Sequence, residues 1–169
     1  INYWPNRDGL LHLVREIWPK VREQLPTARL RIVGRGVTPD VKLLNGHSGI
    51  EVVGPVNDVA PEYFASHVAV APMRFSVGSS IKVLEALAYR RPLITYSVSA
   101  KRHGLIDGQH AHVVDCADDF AARIVESCIH SKKTARMVCR GYELVSTEFD
   151  RKHVIELTRR LAASACQQC

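Results

Sequence analysis

The feature that most constrains the fold is a segment in which two apolar strands flank one short helix. Residues 68–71 and 93–96 are apolar runs of strand length, and a Gly/Ser turn at 76–80 precedes an amphipathic helix that ends before Arg91-Pro92. Strands joined through a helix in this way belong to a parallel sheet. The turn then places the helix N-terminus beside the end of the first strand, where such folds bind anions.

The same alternation of short apolar strands and helices runs through the rest of the chain. Further strands are predicted at 30–33, 50–53 and 111–114, and further helices at about 8–25, 39–44, 57–66, 118–130, 134–147 and 150–163. Strands of four or five apolar residues need helices on both faces of their sheet. We therefore expect one α/β, Rossmann-like domain of three layers with a parallel sheet, covering residues 1–169.

The helix between the two strands carries two charged residues that suit a nucleotide sugar. Lys82 falls in the first turn, where the helix dipole disfavours a cation unless an anion is near. Glu85 follows three residues later on the same face. A lysine beside free N–H groups suits a diphosphate, and a carboxylate one turn deeper suits sugar hydroxyls. A solvated Lys82–Glu85 pair explains the same spacing, so spacing alone leaves both interpretations open.

The residues of this segment resemble the donor-binding motif in the C-terminal domain of GT-B glycosyltransferases, in the retaining, nucleotide-sugar-dependent family called group 1. The matching residues are Pro72, Arg74, Phe75, Gly78, Lys82, Val83, Leu84, Glu85, Ala86, Ala88 and Pro92. The resemblance covers nearly the whole chain through the stretches 2–10, 17–34, 52–56 and 104–105. It implies that the domain is the C-terminal half of a GT-B enzyme.

Two positions depart from the family pattern. Many members carry a glutamate eight residues before Glu85, where it contacts the transferred sugar, and this chain has Val77 there. The glycine that usually follows the helix is replaced by Arg90-Arg91, which bears on packing more than on chemistry. The first departure leaves the fold assignment intact and the identity of the sugar open.

The resemblance implies a hexosyltransferase-like enzyme that transfers a sugar from a nucleoside-diphosphate sugar to an acceptor such as a polysaccharide or a lipid-linked glycan. Retention of anomeric configuration and the absence of a metal or other cofactor are further implications. Lys82 and Arg74 are the implied catalytic pair, which neutralises the diphosphate as the glycosidic bond breaks. The implied substrate-binding residues are Gly36, Val56, Gly78, Ser79, Ser80 and Glu85.

Four of these residues belong to the turn and helix. The resemblance implies that backbone N–H groups of Ser79 and Ser80 bond the diphosphate and that Gly78 lets it approach. It also implies that Glu85 accepts hydrogen bonds from the ribose hydroxyls. Structural roles stay open beside these: the serines as a plain N-cap, Glu85 as a partner of Lys82, and Arg74 as a surface residue.

The other two lie in loops after the earlier strands. Gly36 lets its loop approach the nucleotide with the backbone, and the loop around Val56 seats the base. Gly34-Arg35-Gly36 also invites a dinucleotide-binding interpretation, but Pro39 stands where the third glycine of that motif belongs.

The chain begins at Ile1, without the strand that the family places before Asn2. We therefore expect a fragment, inactive alone, whose N-terminal acceptor-binding domain is absent from residues 1–169. The expected partners are a nucleotide-sugar donor and an acceptor bound mainly by that other domain.

The net charge of +6 and pI near 9.2 fit two anionic partners equally well, a diphosphate substrate and the inner face of a membrane. No basic stripe interleaved with aromatic residues indicates nucleic acid. No apolar run approaches the roughly 20 residues of a membrane span. We expect a cytoplasmic protein, with peripheral contact to the inner membrane face left open.

The cysteines and histidines form no metal-binding pattern. Cys166 and Cys169 make one C-x-x-C pair without a second, so all five cysteines are expected to be free thiols and no metal site is expected. The eight histidines, including His110 and His112, are scattered, and solvent exposure explains them best.

Two further functions are compatible with these residues. One is a non-catalytic GT-B-like module for binding or assembly, which the missing glutamate favours and the set Gly78, Lys82 and Glu85 disfavours. The other is an epimerase-like half that binds the same class of nucleotide sugar.

Overall fold

The computed structural model describes residues 1, 3–75 and 80–149, in which short parallel strands alternate with helices. In chain order the elements are α1 (Trp4–His12), a π-helical turn (Leu13–Ile17), α2 (Trp18–Gln24), β1 (Leu30–Val33), α3 (Pro39–Lys42), a 3-10 turn (His47–Gly49), β2 (Ile50–Gly54), α4 (Ala60–Ala65), β3 (Ala69–Ala71), α5 (Ile81–Ala88), β4 (Leu93–Tyr96), α6 (Ser97–Arg102), β5 (His112–Val114), α7 (Ala117–Ile129) and α8 (Ser131–Glu148). The predicted α/β alternation is confirmed.

The strands form two parallel ladders. In the first, β1 pairs with β2, with Leu30 opposite Ile50. In the second, β4 lies between β3 and β5, with Ile94 opposite Val70 on one side and His112 on the other. Because all pairings are parallel, the carboxyl ends of the strands in each ladder lie at one edge.

Helices cover both faces of the strands, and each face has its own core. On one face α2 and the π-helical turn pack against α7, with Ile17, Val21 and Phe120 fully buried beside Ile94 of β4. On the other face α5 packs against α8, and Leu87 is buried beside β3 and β4. The side chains of β4 alternate between these cores, as a strand buried on both faces requires.

The first helix is longer than its apolar stripe indicates. It was expected from residue 8 and begins at Trp4, because Pro5 is tolerated in a first turn, whose N–H groups have no intrahelical partner. In the first turn of α2, Pro19 has no N–H group to donate to the carbonyl oxygen of Arg15. The turn that precedes it therefore widens into π geometry.

Two glycines allow close approach between elements. A Cβ at Gly9 in α1 would lie 2.8 Å from the carbonyl oxygen of Pro72, the residue after β3. A Cβ at Gly141 in α8 would lie 2.7 Å from the carbonyl oxygen of His110 and 2.8 Å from a methyl carbon of Leu87. The first contact fixes the start of α1 against the end of β3.

Arg90, two residues after α5, shows the backbone strain that results when the usual glycine is missing. Arg90 takes a left-handed backbone conformation, with φ of +53°, which is unfavourable for a side chain with a Cβ. Its guanidinium lies 4.1 Å from the ring centre of Tyr142 in α8. This cation–π contact offsets part of the backbone strain.

Three histidines differ from the expectation that they are solvent-exposed. His12 in α1, His103 directly after α6 and His112 in β5 are buried, whereas His47, His67 and His130 are exposed. Three cysteines fall within the described residues, and Cys116, Cys128 and Cys139 are free thiols as predicted. Cys166 and Cys169, and the helix predicted at 150–163, lie outside the described residues.

Candidate functional site

Lys82 lies in the first turn of α5 and reaches back toward the start of α1. Its Nζ donates a hydrogen bond to Asn6 Oδ1 at 2.6 Å and contacts Met73 Sδ at 3.4 Å. Burial lowers the pKa of the ammonium group, while the nearby Glu85 carboxylate acts in the opposite direction. Of the residues that the structure describes, none places a carboxylate within 4.0 Å of this ammonium, so the Lys82–Glu85 salt bridge is not formed.

Ser80 occupies the N-cap position of α5 and makes no capping hydrogen bond through its side chain. Its Oγ is buried without a hydrogen-bond partner. An N-cap serine normally satisfies a free N–H group of the first turn. An unpaired hydroxyl therefore lies at the N-terminal end of α5, the end of a helix whose dipole favours an anion.

Glu85 is held by a tyrosine from a neighbouring helix. The hydroxyl of Tyr63 in α4 donates to Glu85 Oε2 at 3.3 Å and also lies 3.5 Å from the backbone oxygen of Lys82. The ring of Tyr63 stacks on Tyr89 with centroids 4.9 Å apart. Burial, followed by the Glu85 charge, raises the pKa of Tyr63 well above its usual range, so its hydroxyl stays protonated and donates.

Arg74 follows β3 and is already paired. Its Nη2 and Nε bond the two carboxylate oxygens of Asp8 in α1, at 2.7 and 3.2 Å. This ion pair raises the pKa of Arg74. The two predicted cations thus differ electrostatically, since Arg74 pairs with a carboxylate whereas the two direct contacts of the Lys82 ammonium are neutral.

A cavity of about 380 Å³ opens beside Arg74 at the carboxyl ends of β4 and β5. Its wall includes His12 and Tyr96, whose Nε2 and hydroxyl oxygen lie 2.7 Å apart. Its volume falls in the range of small-molecule sites. Arg74 therefore lines the same cavity as residues at this edge of the strands, whereas Lys82 does not line it.

The loops that contain Gly36 and Val56 lie after β1 and β2. The N–H of Gly34 bonds the carbonyl oxygen of Gly54 at 2.8 Å, which joins the ends of these two strands. Gly36 has φ of +69°, which glycine adopts without strain. Val56 is half-buried two residues after β2, and no described contact joins it to Lys82 or Glu85.

The structure therefore brings Lys82, Ser80 and Glu85 together at the start of α5, with Arg74 at the adjacent strand end. Gly78 and Ser79, and the departure at Val77, lie outside the described residues. Sequence reasoning missed the side chains that hold these groups: Asn6, Met73, Tyr63 and Asp8. The one sequence signal for two of them, Asn6 and Asp8, is that they lie in the stretch 2–10 that resembles the family.

Neither a metal cluster nor a membrane helix is found in the described part of the chain. No group of three or more His, Cys, Asp or Glu side chains in residues 1, 3–75 and 80–149 is arranged to hold a metal ion. Within those same ranges, no helix combines the length and apolar character needed to cross a bilayer.

A sequence comparison decides the family. Residues 2–129 match the family described as Glycosyl transferases group 1. This chain belongs to the group 1 glycosyltransferases. The matched range contains the positions of Lys82 and Glu85 and the loops with Gly36 and Val56. No curated protein matches this group 1 chain significantly.

Solved structures agree on the fold. A TarM mutant from S. aureus, in complex with fondaparinux, alpha-GlcNAc-glycerol and UDP, has a TM-score of 0.78 at 15% identity over 89% of this chain and 32% of its own. The pneumococcal O-GlcNAc transferase GtfA, in complex with UDP and GlcNAc, has a TM-score of 0.72 at 19% identity over 92% of this chain and 33% of its own. The group 1 chain thus spans about a third of either enzyme.

A shorter neighbour matches nearly end to end. The C-terminal domain of the group 1 family protein LpcC from Francisella tularensis has a TM-score of 0.58 at 16% identity, over 81% of this chain and 94% of its own. The fold is therefore the Rossmann-like α/β fold of a GT-B C-terminal domain, as predicted.

Proposed function

We propose that this chain is the donor-binding domain of a retaining glycosyltransferase that takes a sugar from a nucleoside-diphosphate sugar. The acceptor is a polysaccharide or a lipid-linked glycan, and the transfer needs no metal or other cofactor. The similarity to TarM and GtfA, both solved with UDP, supports a nucleotide donor.

The observation that carries this proposal is the setting of Lys82. Its ammonium lies at the N-terminal end of α5 between two neutral groups, beside the buried and unpaired Ser80 hydroxyl. A cation and an unpaired hydroxyl at a helix N-terminus favour the binding of an anion such as a diphosphate. As the bond from the sugar to the diphosphate breaks, Lys82 stabilises the growing negative charge of the leaving group.

The remaining predicted residues take the tasks that the family pattern gives them. Glu85, held by Tyr63, accepts hydrogen bonds from the ribose hydroxyls. Gly36 brings backbone close to the nucleotide, and the loop around Val56 seats the base. Arg74 acts at the mouth of the site, where Asp8 holds its guanidinium.

In this proposal the acceptor binds mainly to another part of the enzyme. An N-terminal domain absent from residues 1–169 binds it, and the 169-residue domain alone is inactive. Exposed basic residues such as Lys101, Lys132 and Lys133 support a cytoplasmic location with peripheral contact to anionic lipid.

Titration of the full-length protein with UDP and GDP tests the donor site. We expect one of them to bind and to raise the melting temperature. Lys82→Ala should weaken binding more than Glu85→Gln, since the lysine meets two phosphates and the glutamate meets neutral hydroxyls. Unchanged nucleotide affinity in Lys82→Ala would rule out the diphosphate assignment.

A further inference from the structure

The ammonium of Lys82 is held by a neutral side chain, unlike several arginines of this domain. Arg7, Arg31 and Arg74 each pair with a carboxylate at 3.0 Å or less. Lys82 instead donates to the amide oxygen of Asn6, at 2.6 Å. Its second contact, the sulfur of Met73, is also uncharged.

Asn6 is fixed in place by its position in α1. It lies in the first turn, and its N–H bonds the carbonyl oxygen of Tyr3 at 3.0 Å. One turn later, the close approach of Gly9 to Pro72 fixes this helix against the segment that contains Met73. Both partners of Lys82 therefore come from one rigid junction, and they set the direction of its side chain.

A neutral partner orients a cation without cancelling its charge. A carboxylate at 2.6 Å would offset most of the field of the ammonium, whereas an amide dipole leaves it available to a ligand. The nearest acidic influence is Glu85, which Tyr63 holds through its hydroxyl.

We propose that Asn6 is a positioning residue for diphosphate recognition, which aims the Lys82 ammonium at the ligand while preserving its charge. This inference rests on the proposed function, because it concerns the same donor site. It assigns a task to a residue that lies 76 positions from Lys82 in the sequence. Its prediction is specific: the charge at position 6 matters more than the presence of a hydrogen bond.

The test compares Asn6→Asp with Asn6→Ala in the full-length protein. Asn6→Asp keeps the shape of the side chain and forms an ion pair with Lys82, so its melting temperature should equal or exceed that of the wild type. Its affinity for UDP or GDP, whichever binds the wild type more tightly, should nevertheless fall about tenfold. Asn6→Ala, which loses orientation only, should weaken binding about threefold.

The double variant with Lys82→Met separates charge from structure. In a Lys82→Met background, Asn6→Ala should cause no further loss of affinity, because the ammonium that Asn6 orients is gone. A threefold loss from Asn6→Ala that persists in that background overturns the inference, as does an Asn6→Asp protein that binds like the wild type.

Failure of the inference is distinguishable from failure of the proposed function. If the wild type binds and Lys82→Met weakens binding while Asn6→Asp does not, the donor site stands and the role of Asn6 is wrong. If the wild type binds neither UDP nor GDP, the proposed function fails and this inference fails with it.

Discussion

The guanidinium of Arg74 binds the carboxylate of Asp8 through two hydrogen bonds, at 2.7 and 3.2 Å. The pair joins the segment after β3 to α1, across 66 residues of sequence. Both side chains are partly exposed, so the pair contributes at most about 1 kcal/mol to stability. Its larger effect is electrostatic, because Asp8 offsets the charge of a cation at the mouth of the proposed donor site.

Removal of that carboxylate should strengthen nucleotide binding. Asp8→Asn frees the charge of Arg74, and we expect about threefold tighter binding of UDP or GDP at low salt, with little gain at 0.5 M salt. Calorimetric titration at two salt concentrations measures this. Glu126→Gln, which removes the partner of Arg123 in α7, is the matched control and should leave affinity unchanged. Equal affinity of Asp8→Asn and wild type at both salt concentrations would show that Arg74 does not reach the ligand.

The hydroxyl of Tyr63 should support ribose recognition through Glu85. Tyr63→Phe keeps the stacking on Tyr89 and removes the hydrogen bond to the carboxylate. We expect the preference for UDP over 2′-deoxy-UDP to fall about threefold, in line with one hydrogen bond. Tyr89→Phe is the control, since the described contacts of Tyr89 use its ring and backbone. A preference that survives Tyr63→Phe would contradict this role.

The close approach at Gly9 should be sensitive to a single methyl group. Alanine is normally better than glycine in a helix by about 1 kcal/mol. In Gly9→Ala, however, the Cβ would meet the Pro72 carbonyl, so we expect a net loss of about 1–3 kcal/mol in unfolding free energy. Nucleotide affinity should fall as well, because Asn6 and Asp8 move with this turn.

Gly141→Ala provides the comparison for that variant. It makes an equally short contact, with the His110 carbonyl, in the α5–α8 layer. Urea unfolding should show a similar loss of stability, while the folded protein keeps its nucleotide affinity. If both variants lose affinity in parallel, the effect of Gly9→Ala reflects general destabilisation.

His112 should make stability fall at mildly acidic pH. Both of its ring nitrogens are buried without partners, and burial, followed by Arg123, lowers its pKa in the folded state. Between that lowered pKa and about 6.5, the unfolded chain binds a proton that the folded chain does not, so stability decreases as pH falls below about 6.5.

Urea unfolding at pH 7.5 and 5.5 measures this dependence. His112→Leu should lose less stability between the two pH values than the wild type, whereas His47→Gln, at an exposed position, should behave like the wild type. An unchanged pH dependence in His112→Leu would mean that the ring accepts a proton in the folded state.

Much of the fold could be predicted because its signals are local. The strands at Leu30–Val33 and Leu93–Tyr96 have the predicted bounds, since apolar runs between turn residues mark them clearly. The helix α6 was missed because its sequence, Ser-Val-Ser-Ala-Lys-Arg, carries no apolar stripe. Only its packing beside β4 and β5 specifies it.

The candidate site could be predicted only in part, because only some of its residues are close together in the sequence. Ser80, Lys82 and Glu85 lie within six residues, so helical spacing and a linear motif place them together. Their partners do not follow from spacing, because Tyr63 reaches Glu85 across 22 residues and Asn6 reaches Lys82 across 76. Contacts of this kind depend on how helices pack, which periodicity does not encode.

The two separate ladders determine how the domain holds together. Within the part of the chain that the structure describes, no backbone pairing links β1 to β3, and apolar side chains around Ile32 and Ile94 connect the two halves. The coupling of the two ladders therefore depends on closely packed apolar side chains rather than on backbone hydrogen bonds between strands. Ile94→Ala removes part of this shared core, and we expect it to weaken the coupling between the ladder that precedes the Gly36 loop and the ladder beside the helix that carries Lys82.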